Sequence, residues 1–240
     1  MKFSVVIPVY KRPQELADTI NSVVQMDHVG EIIVAENLSG GDGGAQVARN
    51  AGARYVAKEL GTKFVKSQTC NLGLEQATEE LVFFCDQDSE FPQDYLTKMY
   101  ALHVQWGNLL AFSDAYRVDN PAFPNYERRI PGFSAEWSTA SVIKPVWHMM
   151  FIDGNCTTRT EFAQKARWDD NYQQYGGEVR AFAHRMAATC GVVPCIFEYI
   201  WYFHVEHEKL DSAYYEVGEP MPRDKIDSYD LEGKLHAIPA

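Results

Sequence analysis

The chain has 240 residues, of which 46% are hydrophobic and 23% are charged, and its formal net charge is −11 at pH 7. This length and composition are typical of a globular protein with one substantial core. The negative charge disfavours a broad surface for nucleic acid or anionic membranes, and leaves only a local basic groove around Arg128, Arg129 and Lys144 as an alternative.

The sequence shows no targeting segment. A strand is predicted almost directly after Met1, which leaves no room for a signal peptide, and no apolar run approaches the roughly 18 residues of a membrane span. The 5 cysteines are odd in number and lack the spacing of a disulfide framework, and the nearest pair, Cys190 and Cys195, has no partner pair for zinc. We therefore expect a soluble, cytoplasmic protein.

The first predicted elements are strand, helix and strand. Residues 3–8 form a β-branched strand that ends at Pro8, and four apolar residues then recur on one helical face: Leu16, Ile20, Val23 and Val24. A second apolar run at residues 32–35 ends at Glu36 and Asn37 and leads into a glycine-rich loop at residues 39–44. Two strands thus open onto one edge of the predicted sheet.

A third and a fourth strand continue the series. Residues 53–56 are predicted to form the short third strand, a helix covers about residues 64–77, and the apolar residues 81–85 form the buried fourth strand. This alternation of strands and helices predicts a parallel sheet with right-handed crossovers.

Two carboxylates follow the fourth strand in Asp86-Gln87-Asp88. Because ligands in open α/β sheets bind beyond the carboxyl ends of the strands, we expect the triplet to lie at a binding site. Two carboxylates so close repel each other unless a cation lies between them or one is protonated, and hard oxygen ligands suit Mg²⁺ or Mn²⁺ carrying a phosphate. The alternative is a polar turn in which Asp88 or Ser89 caps a helix that begins near Pro92.

The second half contains further polar candidates. Glu178 follows Tyr175-Gly176-Gly177 and lies in the first turn of a predicted helix, where an acidic side chain is also favourable on structural grounds alone. His204 and His207 follow a strand-like run at residues 199–203. Four residues are candidates for lining an acceptor pocket: Trp147, His148, Asp153 and Asp170.

With these residues in view, the chain resembles the family 2 glycosyltransferases of GT-A fold. The matching pieces are Val5 to Pro13, Glu31 to Asn37 with Ser39, Asn71-Leu72-Gly73, and Phe84 to Asp88 with Pro92. A weaker match continues from Asp153-Gly154-Asn155 through Trp168-Asp169-Asp170 to Glu178 and the two histidines. Several motifs in the right order are more specific than any one of them.

The resemblance implies a site for a nucleotide-sugar donor, with a UDP-sugar as the expected donor. Pro8, Val9 and Tyr10 are expected to shape the slot for the base, and Glu36 to accept a hydrogen bond from the uracil imide or the ribose. Aspartate is the commoner residue at the position of Glu36. The remaining donor-binding residues are expected to be Arg12, Lys66, Asn71, Asp86 and Gln87, with Arg12 and Lys66 as the cations near the phosphates.

The resemblance also implies a divalent cation, Mn²⁺ or Mg²⁺. Asp86 and Asp88 are expected to hold it, Asp88 more directly, with His204 or His207 completing the shell and His204 preferred. The ion is expected to neutralise charge on the leaving nucleoside diphosphate.

Glu178 is the expected catalytic residue, although the match leaves the stereochemistry open. In inverting members the corresponding motif is Glu-Asp, and its aspartate takes the acceptor proton, whereas Val179 follows Glu178 here. Either Glu178 is itself the base or the enzyme departs from simple inversion. The run Gly176-Gly177-Glu178 with Cys190 to Cys195 and His204 is also similar to the retaining polypeptide N-acetylgalactosaminyltransferases.

We therefore expect one α/β domain over residues 1–240, with a mostly parallel GT-A sheet flanked by helices and a smaller acceptor-side sheet or loop region. Residues up to about 115 form the nucleotide-sugar half, residues 116–208 the acceptor and catalytic half, and residues 209–240 a strap or tail. The expected activity is metal-assisted transfer of a hexosyl or N-acetylhexosaminyl group to an acceptor hydroxyl on a glycan, lipid-linked molecule, protein or other compound. The alternatives are a nucleotide-sugar-binding protein without catalysis and a nucleotidyltransferase.

Overall fold

The structure is a computed structural model that describes residues 1–38, 43–60, 64–118, 126–128, 143–145, 154–172 and 177–205. Side chains are not described at 114–118, 126–128, 143–145 and 198–199. Several predictions fall outside the described residues: most of the glycine-rich loop, the pair Tyr175-Gly176, the acceptor candidates Trp147, His148 and Asp153, His207, and the C-terminal segment.

The described residues form one ten-stranded sheet with the order β3-β2-β1-β4-β9-β6-β10-β5, to which β7 and β8 are paired through β6 and β10. Its strands are β1 (Phe3–Val9), β2 (Val29–Asn37), β3 (Arg54–Lys58), β4 (Leu81–Phe84), β5 (Ser89–Glu90), β6 (Leu109–Val118), β7 (Tyr126–Arg128), β8 (Ile143–Pro145), β9 (Cys156–Arg159) and β10 (Val193–Val205).

Six strands run in one direction, because β1 pairs in parallel with β2 and β4, β2 with β3, and β6 with β10, while β9 lies antiparallel between β4 and β6. The predicted α/β class with a mostly parallel sheet is thus confirmed. The smaller sheet expected on the acceptor side is continuous with the main one, since β7 and β8 extend it by antiparallel pairing.

Helices cover both faces of the sheet: α1 (Pro13–Val23), α2 (Gly44–Asn50), α3 (Lys66–Leu74), α4 (Tyr95–Trp106), α5 (Thr160–Ala166) and α6 (Glu178–Cys190). Alternate residues of each strand point to opposite faces, so Val5 joins one buried cluster with α1, α2 and α4, and Val6 joins the other with α3, α5 and α6. Burial on both faces explains the continuous apolar runs of β1 and β4.

Gly73 shows why the Asn71-Leu72-Gly73 motif suits α3. A side-chain carbon at Gly73 would overlap Val6 of β1 and lie 3.2 Å from the Cβ atom of Ala35 in β2. The helix therefore packs close to the sheet only with glycine at this position.

The structure excludes the helix cap that was the alternative interpretation of the aspartate triplet. Neither Asp88 nor Ser89 caps a helix: α4 begins at Tyr95 after Asp94, and Ser89 and Glu90 instead pair with His204 and Phe203 of β10. The expected acceptor half at residues 116–208 contains β7 and β8, which are too short to give a clear period-2 signal in the sequence.

In the part of the chain that the structure describes, no helix is long and apolar enough to cross a bilayer.

Candidate functional site

The predicted donor residues meet at the edge of the sheet where β1, β2 and β4 end. Pro8 and Val9 end β1, Glu36 lies near the end of β2, and Asp86 follows β4. In parallel strands these ends share one edge, as the register of β1 against both β2 and β4 shows.

Asp86 is enclosed by three groups. The Lys66 ammonium lies 2.5 Å from its Oδ1 atom, and the backbone N–H of Gly154 donates to its Oδ2 atom at 3.0 Å. The backbone N–H of Asp86 in turn donates to the Asn155 side-chain oxygen at 2.8 Å. A Cβ atom at Gly154 would overlap both Lys66 and Asp86, so only glycine allows this approach.

Lys66 is held as a cation. Burial by itself would lower the pKa of this ammonium, but the carboxylates of Asp86 and then Glu178 outweigh burial and raise the pKa well above its ordinary value. Lys66 begins α3, so the start of this helix places a fixed positive charge beside the end of β4.

Asp88 faces a cation and an imidazole. The Arg12 guanidinium lies 3.8 Å from its Oδ2 atom, and Nδ1 of His204 lies 3.5 Å from its Oδ1 atom. His204 reaches this place because β10 pairs with β5 at Ser89, next to Asp88. Lys11 and Arg12 both have left-handed backbone angles, with φ of 55° and 64°, a rare conformation for such residues that turns the chain between β1 and α1.

Gln87, the middle residue of the triplet, binds the β1–α1 turn. Its side-chain oxygen accepts from the Tyr10 N–H at 2.9 Å, and its side-chain amide donates to the Tyr10 carbonyl at 2.8 Å. The Thr19 hydroxyl donates to the Gln87 carbonyl at 2.7 Å. These bonds fix the position of Tyr10 relative to both aspartates.

The predicted base slot is partly formed by packed side chains. Pro8 and Val9 are buried, and Val9 belongs to the core on the α1 side. The Tyr10 ring stacks on Phe64 with centroids 4.7 Å apart, and the Lys11 ammonium lies 5.3 Å from the Tyr10 ring. Glu36 is only 3% exposed, and its Oε2 atom accepts a hydrogen bond from the Tyr55 hydroxyl at 2.6 Å.

Asn71 contacts the segment after α5. Its side-chain amide donates to the Trp168 carbonyl at 2.9 Å and to the Asp170 carboxylate at 2.8 Å, and its side-chain oxygen accepts from the Trp168 N–H at 3.0 Å. Asp170, a candidate for the acceptor pocket, therefore lies against Asn71. Through these contacts, Asn71 fixes the position of the segment that leads to Tyr172.

Glu178 is the first residue of α6 and is 6% exposed. Gly177 before it has a φ of 96°, and a Cβ atom there would lie 2.5 Å from the Tyr172 hydroxyl. Burial, followed by the charge of Glu178, raises the pKa of Tyr172. Glu178 thus acts electrostatically on both Lys66 and Tyr172.

Three residues near these side chains were not among the predicted site residues: Tyr55, Asn155 and Tyr172. Asn155 belonged to a motif in the resemblance, so its position offered a signal. Tyr55 and Tyr172 are single aromatic residues without a motif, and only the three-dimensional structure reveals their neighbours.

The site partly fits a divalent cation. Within the described ranges no group of three or more His, Cys, Asp or Glu side chains is arranged to hold a metal ion. Asp88 and His204 nevertheless offer an oxygen and a nitrogen donor 3.5 Å apart, a pair that suits Mn²⁺. Asp86 fits less well as a direct ligand, because Lys66 and Gly154 already contact its two oxygens.

A comparison with known families identifies the family of this chain. The sequence model described as "Glycosyl transferase family 2" matches residues 4–166, more than half of the chain. The search of curated proteins gave no match.

Solved structures of S. aureus TarS share the fold. TarS 1-349 has a TM-score of 0.64 at 17% identity and covers 85% of this chain and 60% of that chain. Its complex with UDP-GlcNAc has a TM-score of 0.66 at 16% identity, over 94% and 64%. Its complex with UDP has a TM-score of 0.62 at 15% identity, over 86% and 61%. The chain thus spans less than two thirds of these TarS chains.

Proposed function

Because the chain belongs to glycosyl transferase family 2, we propose that it transfers a sugar from a UDP-sugar to an acceptor hydroxyl with the help of a divalent cation. The observation that carries the proposal is the meeting of two aspartates and two cations at one sheet edge, where Lys66 contacts Asp86 and Arg12 faces Asp88. The complexes of TarS with UDP-GlcNAc and UDP support the choice of donor.

Charge supports the involvement of a cation. Asp86 and Asp88 contribute two carboxylates that face the cationic side chains of Lys66 and Arg12, and Glu178 acts electrostatically on Lys66 as a third carboxylate. A nucleoside diphosphate adds further negative charge, and at an effective dielectric of 20 two like charges ~4 Å apart repel by about 4 kcal/mol. A divalent ion offsets this repulsion.

In the proposed site, Asp88 and His204 hold the ion, and His207 is a further ligand outside the described residues. When bound, the ion acts as a Lewis acid that neutralises charge on the leaving diphosphate. Asp86, fixed by Lys66 and Gly154, lies nearer the ribose or the donor sugar.

The other predicted donor-site residues either bind the donor directly or position residues that do. Pro8, Val9 and Tyr10 form the wall of the base slot, and Glu36 accepts from the base. Arg12 and Lys66 supply positive charge for the phosphates. The contacts of Gln87 and Asn71 support indirect roles, in which Gln87 fixes Tyr10 and Asn71 fixes the segment before Glu178.

Glu178 is proposed as the general base. The acceptor oxygen forms a bond to the anomeric carbon, the bond from that carbon to the diphosphate breaks, and the acceptor proton moves to the Glu178 carboxylate. Its place at the start of α6, with an electrostatic effect on Lys66, supports this role, because Lys66 contacts Asp86 at the donor edge of the sheet. Val179 packs in the core with α6 and does not serve as the base.

A thermal-shift screen tests the proposal. UDP-, GDP-, ADP- and CDP-sugars are compared with and without Mn²⁺, and a UDP-sugar with Mn²⁺ should raise the melting temperature most. A result in which no nucleotide sugar stabilises the protein would count against the proposed function. Tight binding without turnover on a broad acceptor panel would instead favour a binding protein without catalysis.

A further inference from the structure

Glu36 is a buried carboxylate with well-defined neighbours. Burial of a charged carboxylate is costly unless hydrogen bonds compensate for it. At Glu36 the Tyr55 hydroxyl provides one such bond to Oε2 at 2.6 Å, the short distance expected for a hydroxyl bound to an ionised carboxylate.

The sheet brings these two residues together. Tyr55 of β3 lies opposite Val34 of β2, and Glu36 lies two residues further along β2 on the same face. Tyr55 and Glu36 are therefore diagonal neighbours, a spacing that long and aromatic side chains span. Val34 and Tyr55 both pack in the core on the α1 and α2 side, so this face is also the one that α2 covers.

Gly44, the first residue of α2, lies close to the Glu36 carboxylate. A Cβ atom at Gly44 would lie 2.7 Å from Oε2 of Glu36 and 3.4 Å from Cγ1 of Val9. The missing side chain at the start of α2 thus leaves room for the carboxylate. Glutamate is one methylene longer than the aspartate common at this position, and Gly44 and Tyr55 together accommodate and fix that longer side chain.

The direction of the Tyr55 hydrogen bond is well defined. Burial raises the pKa of the Tyr55 hydroxyl, and the bond to Glu36 and the charge of Glu36 raise it further. The hydroxyl therefore keeps its proton at neutral pH and donates it toward the carboxylate. This hydrogen bond occupies one lone pair of Oε2 and restricts rotation of the carboxylate, which leaves Oε1 and its lone pairs to accept other donors.

We propose that Tyr55 is a specificity-determining positioning residue, which orients the Glu36 carboxylate so that the site selects a base with a ring N–H donor, uracil, over cytosine. The proposal rests on the proposed function, because it requires Glu36 to face the base. Uracil carries a proton on N3 and donates it to a carboxylate. Cytosine has no proton on N3, so its N3 lone pair would face the carboxylate. The buried carboxylate would then lack a hydrogen-bond donor, which disfavours binding of cytosine.

The test compares UDP with CDP, two ligands of almost equal size, by titration calorimetry at constant Mn²⁺. Tyr55→Phe removes only the hydroxyl and should weaken UDP binding roughly 3- to 10-fold while leaving CDP binding nearly unchanged. The matched control is Tyr100→Phe, because the Tyr100 ring stacks on His28 next to the start of β2, away from the site. Its affinities should equal those of the native protein.

A second background separates positioning from a structural effect. In Glu36→Ala, addition of Tyr55→Phe should cause no further change in the ratio of the UDP and CDP affinities. An unchanged ratio of the UDP and CDP affinities in Tyr55→Phe, whether both affinities fall equally or neither changes, would overturn the proposal. Should Tyr55→Phe fail to fold, Gly44→Ala displaces Glu36 from the other side and should lower the same ratio; an unchanged ratio there overturns the proposal too.

The outcome for the native protein distinguishes this inference from the proposed function. If the native protein binds no UDP, the proposed function fails and this inference fails with it. If the native protein prefers UDP and Tyr55→Phe keeps that preference in full, only the role of Tyr55 is overturned.

Discussion

Lys66 and Asp86 form a largely buried ion pair in which Nζ and Oδ1 lie 2.5 Å apart, and this pair joins the start of α3 to the end of β4. Glu178 of α6 adds a second carboxylate to the field of the same ammonium. One lysine thus links the predicted donor-binding edge of the sheet to the predicted base.

Removal of the Lys66 charge should destabilise the protein. Lys66→Met leaves Asp86 and Glu178 without their cation, and loss of one partner of a buried pair costs about 3 kcal/mol. Urea denaturation measures this loss in the free energy of unfolding. In the double variant Lys66→Met/Asp86→Asn the total loss should be smaller than the sum of the single losses, whereas strictly additive losses would show that the two residues do not interact.

Asp88→Ala should abolish the Mn²⁺-dependent part of UDP binding while the protein stays folded, because Asp88 is the proposed oxygen ligand next to His204. Titration calorimetry with and without Mn²⁺ measures the effect. Asp18→Ala is the matched control, since Asp18 is an α1 residue that accepts an exposed hydrogen bond from Gln14. Unchanged metal-dependent affinity in Asp88→Ala would refute the metal assignment.

Glu178→Gln should lower turnover by roughly 10² to 10⁴, the range for loss of a positioned base, with donor affinity and melting temperature near the native values. Glu161→Gln serves as control, because Glu161 is an exposed acidic residue in the first turn of α5. A merely structural Glu178 would give the reverse pattern, a small loss of stability with near-native turnover. Proton NMR of the product adds the stereochemistry: a product with the donor's anomeric configuration would rule out direct displacement with Glu178 as base.

His103 should make stability depend on pH. Burial, followed by the charge of Arg159, lowers the pKa of His103 from 6.5 to about 4. As the pH falls, His103 takes up a proton near pH 6.5 in the unfolded chain but only near pH 4 in the native protein. The contribution of neutral His103 to the free energy of unfolding is therefore fully present above pH 6.5 and is lost between pH 6.5 and pH 4. The full loss is about 3 kcal/mol.

The His103 prediction is tested by urea denaturation from pH 7 to pH 4 for the native protein and His103→Gln. Other groups contribute to both proteins, including Glu31, whose pKa is also lowered, so the difference between the two curves is the quantity of interest. The native protein should lose more stability than the variant as the pH falls. Parallel curves would show that His103 does not titrate as its burial indicates.

The sequence predicted the edge of the sheet at which the candidate residues meet, because strand ends in a βαβ series are set by local patterns and by the handedness of crossovers. Glu36 and Asp86 were placed correctly relative to the strands for this reason. Pairs that are distant in sequence were not predictable. Asn71 binds Trp168 across 97 positions, and no periodic pattern encodes that contact.

Short elements also limited the prediction. β5 has only two residues, so its pairing with β10, which brings His204 to Asp88, left no pattern to recognise. The role of Gly154 depends on the close approach of Lys66 and Asp86. That approach follows from where α3 begins, and helix boundaries are among the least certain features of a sequence-based prediction.

The central claim, glycosyl transfer from a UDP-sugar, is tested most directly by the release of UDP from UDP-sugars in the presence of Mn²⁺. The account predicts that the native protein releases UDP, slowly to water and faster with a suitable acceptor, that Asp88→Ala releases none, and that Glu178→Gln is slower by roughly 10² to 10⁴. UDP release at the same rate from the native protein and both variants, or no release from any UDP-sugar across a broad acceptor panel, would contradict it.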